Sequence, residues 1–128
     1  MERGRILNWA DPTMEFEPKL FAVYLGGRAP RCNTELHDVT FAVGASIEET
    51  YEQLLRNWFG NPRRLHLDSW LELQVVDGHR IVLSAQPVEQ AKKLYFVNLG
   101  AYQPGQFTEF TVVLPRTSHS PNRNRGQA

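Results

Sequence analysis

The segment Lys19-Leu20-Phe21-Ala22-Val23-Tyr24-Leu25-Gly26 returns 74 residues later as Lys93-Leu94-Tyr95-Phe96-Val97-Asn98-Leu99-Gly100. The offset continues without a gap. Pro30 aligns with Pro104, Thr34 with Thr108 and Glu35 with Glu109. Each copy reads as an apolar strand, a Gly/Pro loop and a second strand opened by Thr-Glu. Self-similarity at a fixed period marks a repeated supersecondary unit. The chain is therefore expected to hold a duplicated strand-loop-strand unit, repeated over residues 19–35 and 93–109. That constrains architecture and names no reaction.

Between the copies the pattern changes period. Ser46 is followed three residues on by Glu49, the spacing of a capping box. Ile47, Tyr51, Leu54, Leu55 and Trp58 fall on one stripe of an amphipathic helix, which Gly60-Asn61-Pro62 would end. The helix is expected over about 46–59. Leu20–Leu25 is almost continuously apolar, as in a strand buried on both faces. Glu35–Val43 reads as its neighbour. Trp70–Val76 and His79–Leu83 flank Asp77-Gly78, a hairpin signal because both turn positions want φ > 0. Pro87–Lys92 reads as one helical turn, 93–99 and 107–114 as the strands of the second copy. Strands with a single good helix make an α+β fold: a mainly antiparallel sheet covered by that helix. One domain is expected over 19–114. Residues 1–18 read as a loose arm, in which Met14 is an alternative start, and 115–128 as a disordered tail. The second copy has no helix of its own, so dimerisation is expected to cover its sheet.

Composition removes several function classes. Fourteen basic and fourteen acidic side chains cancel, so the bulk electrostatic attraction that drives nucleic-acid binding is missing. Cys32 is alone, which rules out an intrachain disulfide and any multi-cysteine metal centre. No apolar run approaches the roughly 20 residues of a membrane-spanning helix. Met1–Pro18 has no apolar core of a secretory signal. These features imply a cytoplasmic bacterial protein that binds neither nucleic acid nor membrane.

The motifs Lys19–Gly27, Thr34-Glu35-Leu36-His37-Asp38-Val39, His66-Leu67-Asp68-Ser69-Trp70, Val76-Asp77-Gly78 and Lys93–Gly105 resemble a proteobacterial family of small conserved hypothetical proteins, a domain of unknown function. The resemblance covers about residues 19–114. It implies that the second half here is shortened, and it brings no activity, cofactor or site residue with it.

The side chains best suited to chemistry are Glu35, His37, His66 and Asp68. Residues two apart in a strand share a face, so Glu35 projects with His37, and His66 with Asp68. If the two segments are neighbours, two imidazoles and two carboxylates converge. That set suits a divalent ion of the Zn, Mn or Fe(II) type, an acid–base pair without metal, or a purely structural polar network. The second copy keeps Glu109 but has Thr111 at the His37 position, which makes the histidine special to one half. The loops Gly26-Gly27-Arg28 and Gly100-Ala101-Tyr102 precede strands rather than helices, so they read as turns and not phosphate cradles. Cys32 lies near His37 in sequence, a pairing able to make a thiolate.

Three functions are open at this point. The first, favoured by elimination, is a non-enzymatic interaction or structural module that forms a homodimer and carries no cofactor. The second is a small metal-dependent or acid–base enzyme using Glu35, His37, His66 and Asp68. The third is a ligand-binding domain with a pocket between helix 47–58 and the sheet, lined by Tyr24 and Trp70.

Overall fold

A computed structural model describes residues 17–89 and 91–118. Of the expected arm (1–18) residues 1–16, and of the expected tail (115–128) residues 119–128, lie outside the described residues; residues 115–118 pair in a strand instead of belonging to a disordered tail. Among the described residues seven strands and one α-helix follow in chain order: β1 (Lys19–Gly27), β2 (Leu36–Gly44), α1 (Tyr51–Asn57), β3 (His66–Glu72), β4 (Val75–Val76), β5 (His79–Arg80), β6 (Lys93–Tyr102) and β7 (Glu109–Ser118). Every strand pairing is antiparallel, and the α+β expectation holds. By its contacts the chain forms two compact units. One runs to Gln74 and includes Val82–Gln86; the other takes Val75–Ile81 and resumes at Pro87.

The first unit contains the three-stranded sheet β2-β1-β3. Its core is Phe21, Val23 and Leu25 of β1, Ala42 of β2, and Ile47, Leu54 and Trp58 of the helical segment. β1 alternates instead of being buried on both faces. Val23 is fully buried, while Tyr24 beside it is 37% exposed. The helical segment covers one face only, so residues at i and i+2 share the core and the residues between them do not.

The helix is shorter than its sequence pattern. A 3₁₀ turn at Glu48–Thr50 leads into α1, which ends at Asn57 because Trp58 turns extended with ψ 131°. That turn drives the indole into the core, against Gly27 and Gly60. The capping box is half made. Glu49 reaches back to accept from the Ala45 amide at 3.0 Å, but the N-cap position falls on Ile47, with no side-chain cap. Thr50 is fully buried and donates its hydroxyl to Ile47 O at 2.6 Å, satisfying a polar group that would otherwise be costly there. Tyr51 and Leu55, both on the predicted apolar stripe, stay about half exposed at 50% and 46%.

The expected long hairpin divides. Residues 70–72 belong to β3 and pair with β1. Only Val75↔Arg80 and Val76↔His79 flank the Asp77-Gly78 turn. Both turn residues have positive φ, 49° and 78°, as a two-residue hairpin of this type requires. Pro87–Glu89 are irregular rather than helical. In the second unit β6 and β7 form a two-stranded sheet. Its register matches that of β1 and β2: Lys19↔Gly44, Gly26↔His37 and Gly27↔Leu36 correspond to Lys93↔Ser118, Gly100↔Thr111 and Ala101↔Phe110.

Candidate functional site

β1 is the central strand, and Gly26 lies near its end. Its register partners are His37 on β2 and His66 on β3. Leu25 beside it points into the core, so the missing Gly26 side chain belongs to the opposite face. The two histidines flank that gap. Glu35 sits one residue before β2. Asp68 occupies a β-bulge, since Tyr24 pairs with Ser69 and Leu25 with Leu67, leaving Asp68 without a β1 partner. Bulges re-aim side chains in this way.

The four predicted residues meet. His66 Nε2 lies 2.7 Å from Glu35 Oε1 and 3.1 Å from Asp68 Oδ1. His37 Nε2 lies 3.6 Å from Glu35 Oε2 and 3.5 Å from Asp68 Oδ2. The side chains are between 32% and 49% exposed, so solvent reaches the cluster. The backbone of residue 26 forms its floor. A β-carbon there would stand 2.5 Å from His66 Nε2, 2.7 Å from Asp68 Oδ2 and 3.0 Å from Glu35 Oε1.

Backbone and ring contacts orient the histidines. His66 Nδ1 is 3.2 Å from the Arg64 carbonyl. A carbonyl only accepts, so it suits an N–H at Nδ1, and the contact turns Nε2 toward the carboxylates. Arg64 closes the 3₁₀ turn Pro62–Arg64, whose N-cap Asn61 accepts from the Arg63 amide at 3.0 Å. Asn61 in turn donates its own amide to Arg28 O at 2.6 Å. His37 stacks on Tyr24, with ring centroids 5.3 Å apart and 22° between planes. Among the described residues no group of three or more His, Cys, Asp or Glu side chains is arranged to hold a metal ion. The side chains bond one another. Cys32 makes no contribution to this cluster's pairs; its thiol donates to Thr34 O at 2.8 Å.

A second feature begins at His66. A concavity of about 370 Å³ lies between α1 and the sheet, lined by Leu25, Tyr51, Leu54, Leu55, Leu65, His66 and Leu67. Its place matches the expected pocket, but its lining does not include Tyr24 or Trp70. Tyr24 stands on the other face with His37, and Trp70 packs edge-on against Phe21 at 5.6 Å. The exposed half of the helical stripe, Tyr51 and Leu55, forms one wall.

Sequence reasoning missed Gly26, Tyr24 and the Arg64 carbonyl as parts of the cluster. The signal for Gly26 was present in the repeat. Gly100 and Glu109 occupy the same offset positions, and there too a β-carbon on the glycine would strike the glutamate carboxylate.

Residues 32–83 match a Domain of Unknown Function, DUF1543. That stretch contains all four cluster residues. The chain is also similar to the crystal structure of a protein Il1583 from Idiomarina loihiensis, with 45% sequence identity and a TM-score of 0.68. The match covers 81% of this chain and 65% of that one, so this chain spans just under two thirds of its relative's length. No curated protein matches. Among the described residues no helix is long and apolar enough to cross a membrane.

Proposed function

We propose that the Glu35–His37–His66–Asp68 cluster is a small-molecule site, in which imidazoles and carboxylates exchange protons with a bound ligand. One observation carries this reading: four side chains from two chain segments converge over a backbone position of a third that has no β-carbon to obstruct them. Paired His and carboxylate groups within hydrogen-bond reach are what general acid–base chemistry needs. His66 also lines the apolar concavity on the helix-covered face of the sheet, and about 300 Å³ is the lower range of ligand pockets. The test is a fragment screen read by ¹H–¹⁵N spectra of the backbone and imidazoles, with elemental analysis of untagged, chelator-free protein beside it. The reading expects fragments that shift the four residues, and His37→Ala with His66→Ala to abolish those shifts while the fold persists. Fragments that shift only other surfaces would sink it. Metal lost on both substitutions would turn the same cluster into a metal site.

A second reading, an interaction module that forms a homodimer without catalysis, is favoured by exposed apolar side chains. Leu94, Phe96 and Leu99 of β6 are 37%, 44% and 55% exposed, and Phe107 is fully exposed. A two-stranded hairpin is marginal by itself in water, so such a surface favours a covering partner. Light scattering tests this reading. A monomeric mass at micromolar concentration removes it.

A further inference from the structure

The two histidines do not close the cluster equally. His66 Nε2 is within hydrogen-bond range of one oxygen on each carboxylate, at 2.7 and 3.1 Å. His37 Nε2 stands 3.6 and 3.5 Å from the other two oxygens, Glu35 Oε2 and Asp68 Oδ2, beyond that range. One side is closed by the His66 imidazole nitrogen, held between two carboxylates. Glu35 Oε2 and Asp68 Oδ2 are thus left without an imidazole donor in hydrogen-bond range, on side chains that solvent reaches.

The chemistry of that solvent-facing edge selects its occupant. It is bounded by two carboxylate oxygens and an imidazole nitrogen, so it calls for a group with several N–H donors. The ion pairs of Glu35 and Asp68 among the described residues are made with imidazoles, not with Lys or Arg. Two acidic groups without a permanently charged partner favour a positively charged donor, because charge-assisted hydrogen bonds are the stronger ones. The Tyr24 ring stacked on His37 adds an aromatic surface, and aromatic faces attract cations.

We propose that the open side of the cluster binds an organic cation with N–H donors, a protonated primary amine or a guanidinium, held by Glu35 Oε2, Asp68 Oδ2 and His37 Nε2. This rests on the reading of the cluster as a small-molecule site, and it adds the class of ligand.

The experiment titrates the full chain with three probes of one apolar body: benzylammonium, benzyl alcohol and benzoate. Affinities and the positions of shifted imidazole signals are read by ¹H–¹⁵N spectra. Benzylammonium is expected to bind at least about tenfold more tightly than benzyl alcohol, the scale of one charge-assisted hydrogen bond. Its largest imidazole shift is expected at His37. The near-isosteric Glu35→Gln/Asp68→Asn variant, checked for an unchanged melting curve, should reduce that preference to within about twofold. Should this variant not fold, either substitution alone serves, with a partial loss expected. Equal or tighter binding of the alcohol or benzoate, an ammonium preference that survives in the variants, or no ammonium binding at the cluster overturns the inference. If the alcohol or benzoate shifts the four residues, the small-molecule reading stands while the cation falls. If neither these probes nor the fragment screen reaches the four residues, both fall.

Discussion

A β-carbon built on Gly26 would stand 2.5 Å from His66 Nε2. The closest approach between the central strand and the histidine is thus made by backbone alone. The cluster exists in this form because residue 26 has no side chain, and the neighbouring glycine has a different task. At Gly27 a β-carbon would stand 2.6 Å from Cζ2 of the buried Trp58. Two adjacent glycines therefore serve opposite faces of one sheet, one clearing room for polar groups and the other for the core.

That difference predicts different consequences. Gly26→Ala meets the ends of half-exposed side chains, which swing away, so stability is expected to change by no more than about 1 kcal/mol. The imidazole signals of His66 should move strongly. Gly27→Ala presses on a packed indole and is expected to cost about 1–3 kcal/mol through overpacking. Denaturant melts of both variants check the order. Equal losses would refute the two-face assignment.

Leu54 and Leu55 separate core from concavity. Leu54 is 3% exposed and Leu55 46%. Leu54→Ala should cost about 2–5 kcal/mol, as buried leucine truncations do. Leu55→Ala should cost about 1 kcal/mol or less, while weakening any ligand whose apolar part enters the concavity. Urea denaturation of the pair is the measurement.

The ion pairs of the cluster should contribute little to folding. All four side chains are about one third or more exposed, and exposed pairs are typically worth about 0–1 kcal/mol. His37→Ala and His66→Ala are therefore expected to melt within about 1 kcal/mol of the parent. A much larger loss would make the cluster a structural network.

Gly78 has φ +78° with nothing within 4 Å of an added β-carbon. Gly78→Ala should then cost about 1 kcal/mol from backbone conformation alone. Gly78→Asn should cost less, because asparagine tolerates this region better. Melting curves of the two variants give the comparison.

Much of this architecture was legible from local pattern. The strands β1–β2 and β6–β7 pair as two antiparallel hairpins of matching register, because side-chain alternation and loop length are local properties. Asp77-Gly78 made its turn for the same reason. The pairing of Glu35 with His37 and of His66 with Asp68 followed from two-residue spacing, although Asp68 reaches the cluster from a bulge that spacing does not reveal. Helix length was less legible, since Trp58 leaves the helical path for a core position that only packing defines.

What the sequence by itself determined was the alternation of each strand, the turn chemistry and the residue types available to a polar cluster. What only the tertiary structure decided was their convergence: β3 lies against β1 on the side away from β2, so His66 faces His37 across Gly26. Strand order depends on contacts between residues far apart in the chain, whose closure cost and packing gain no local window contains.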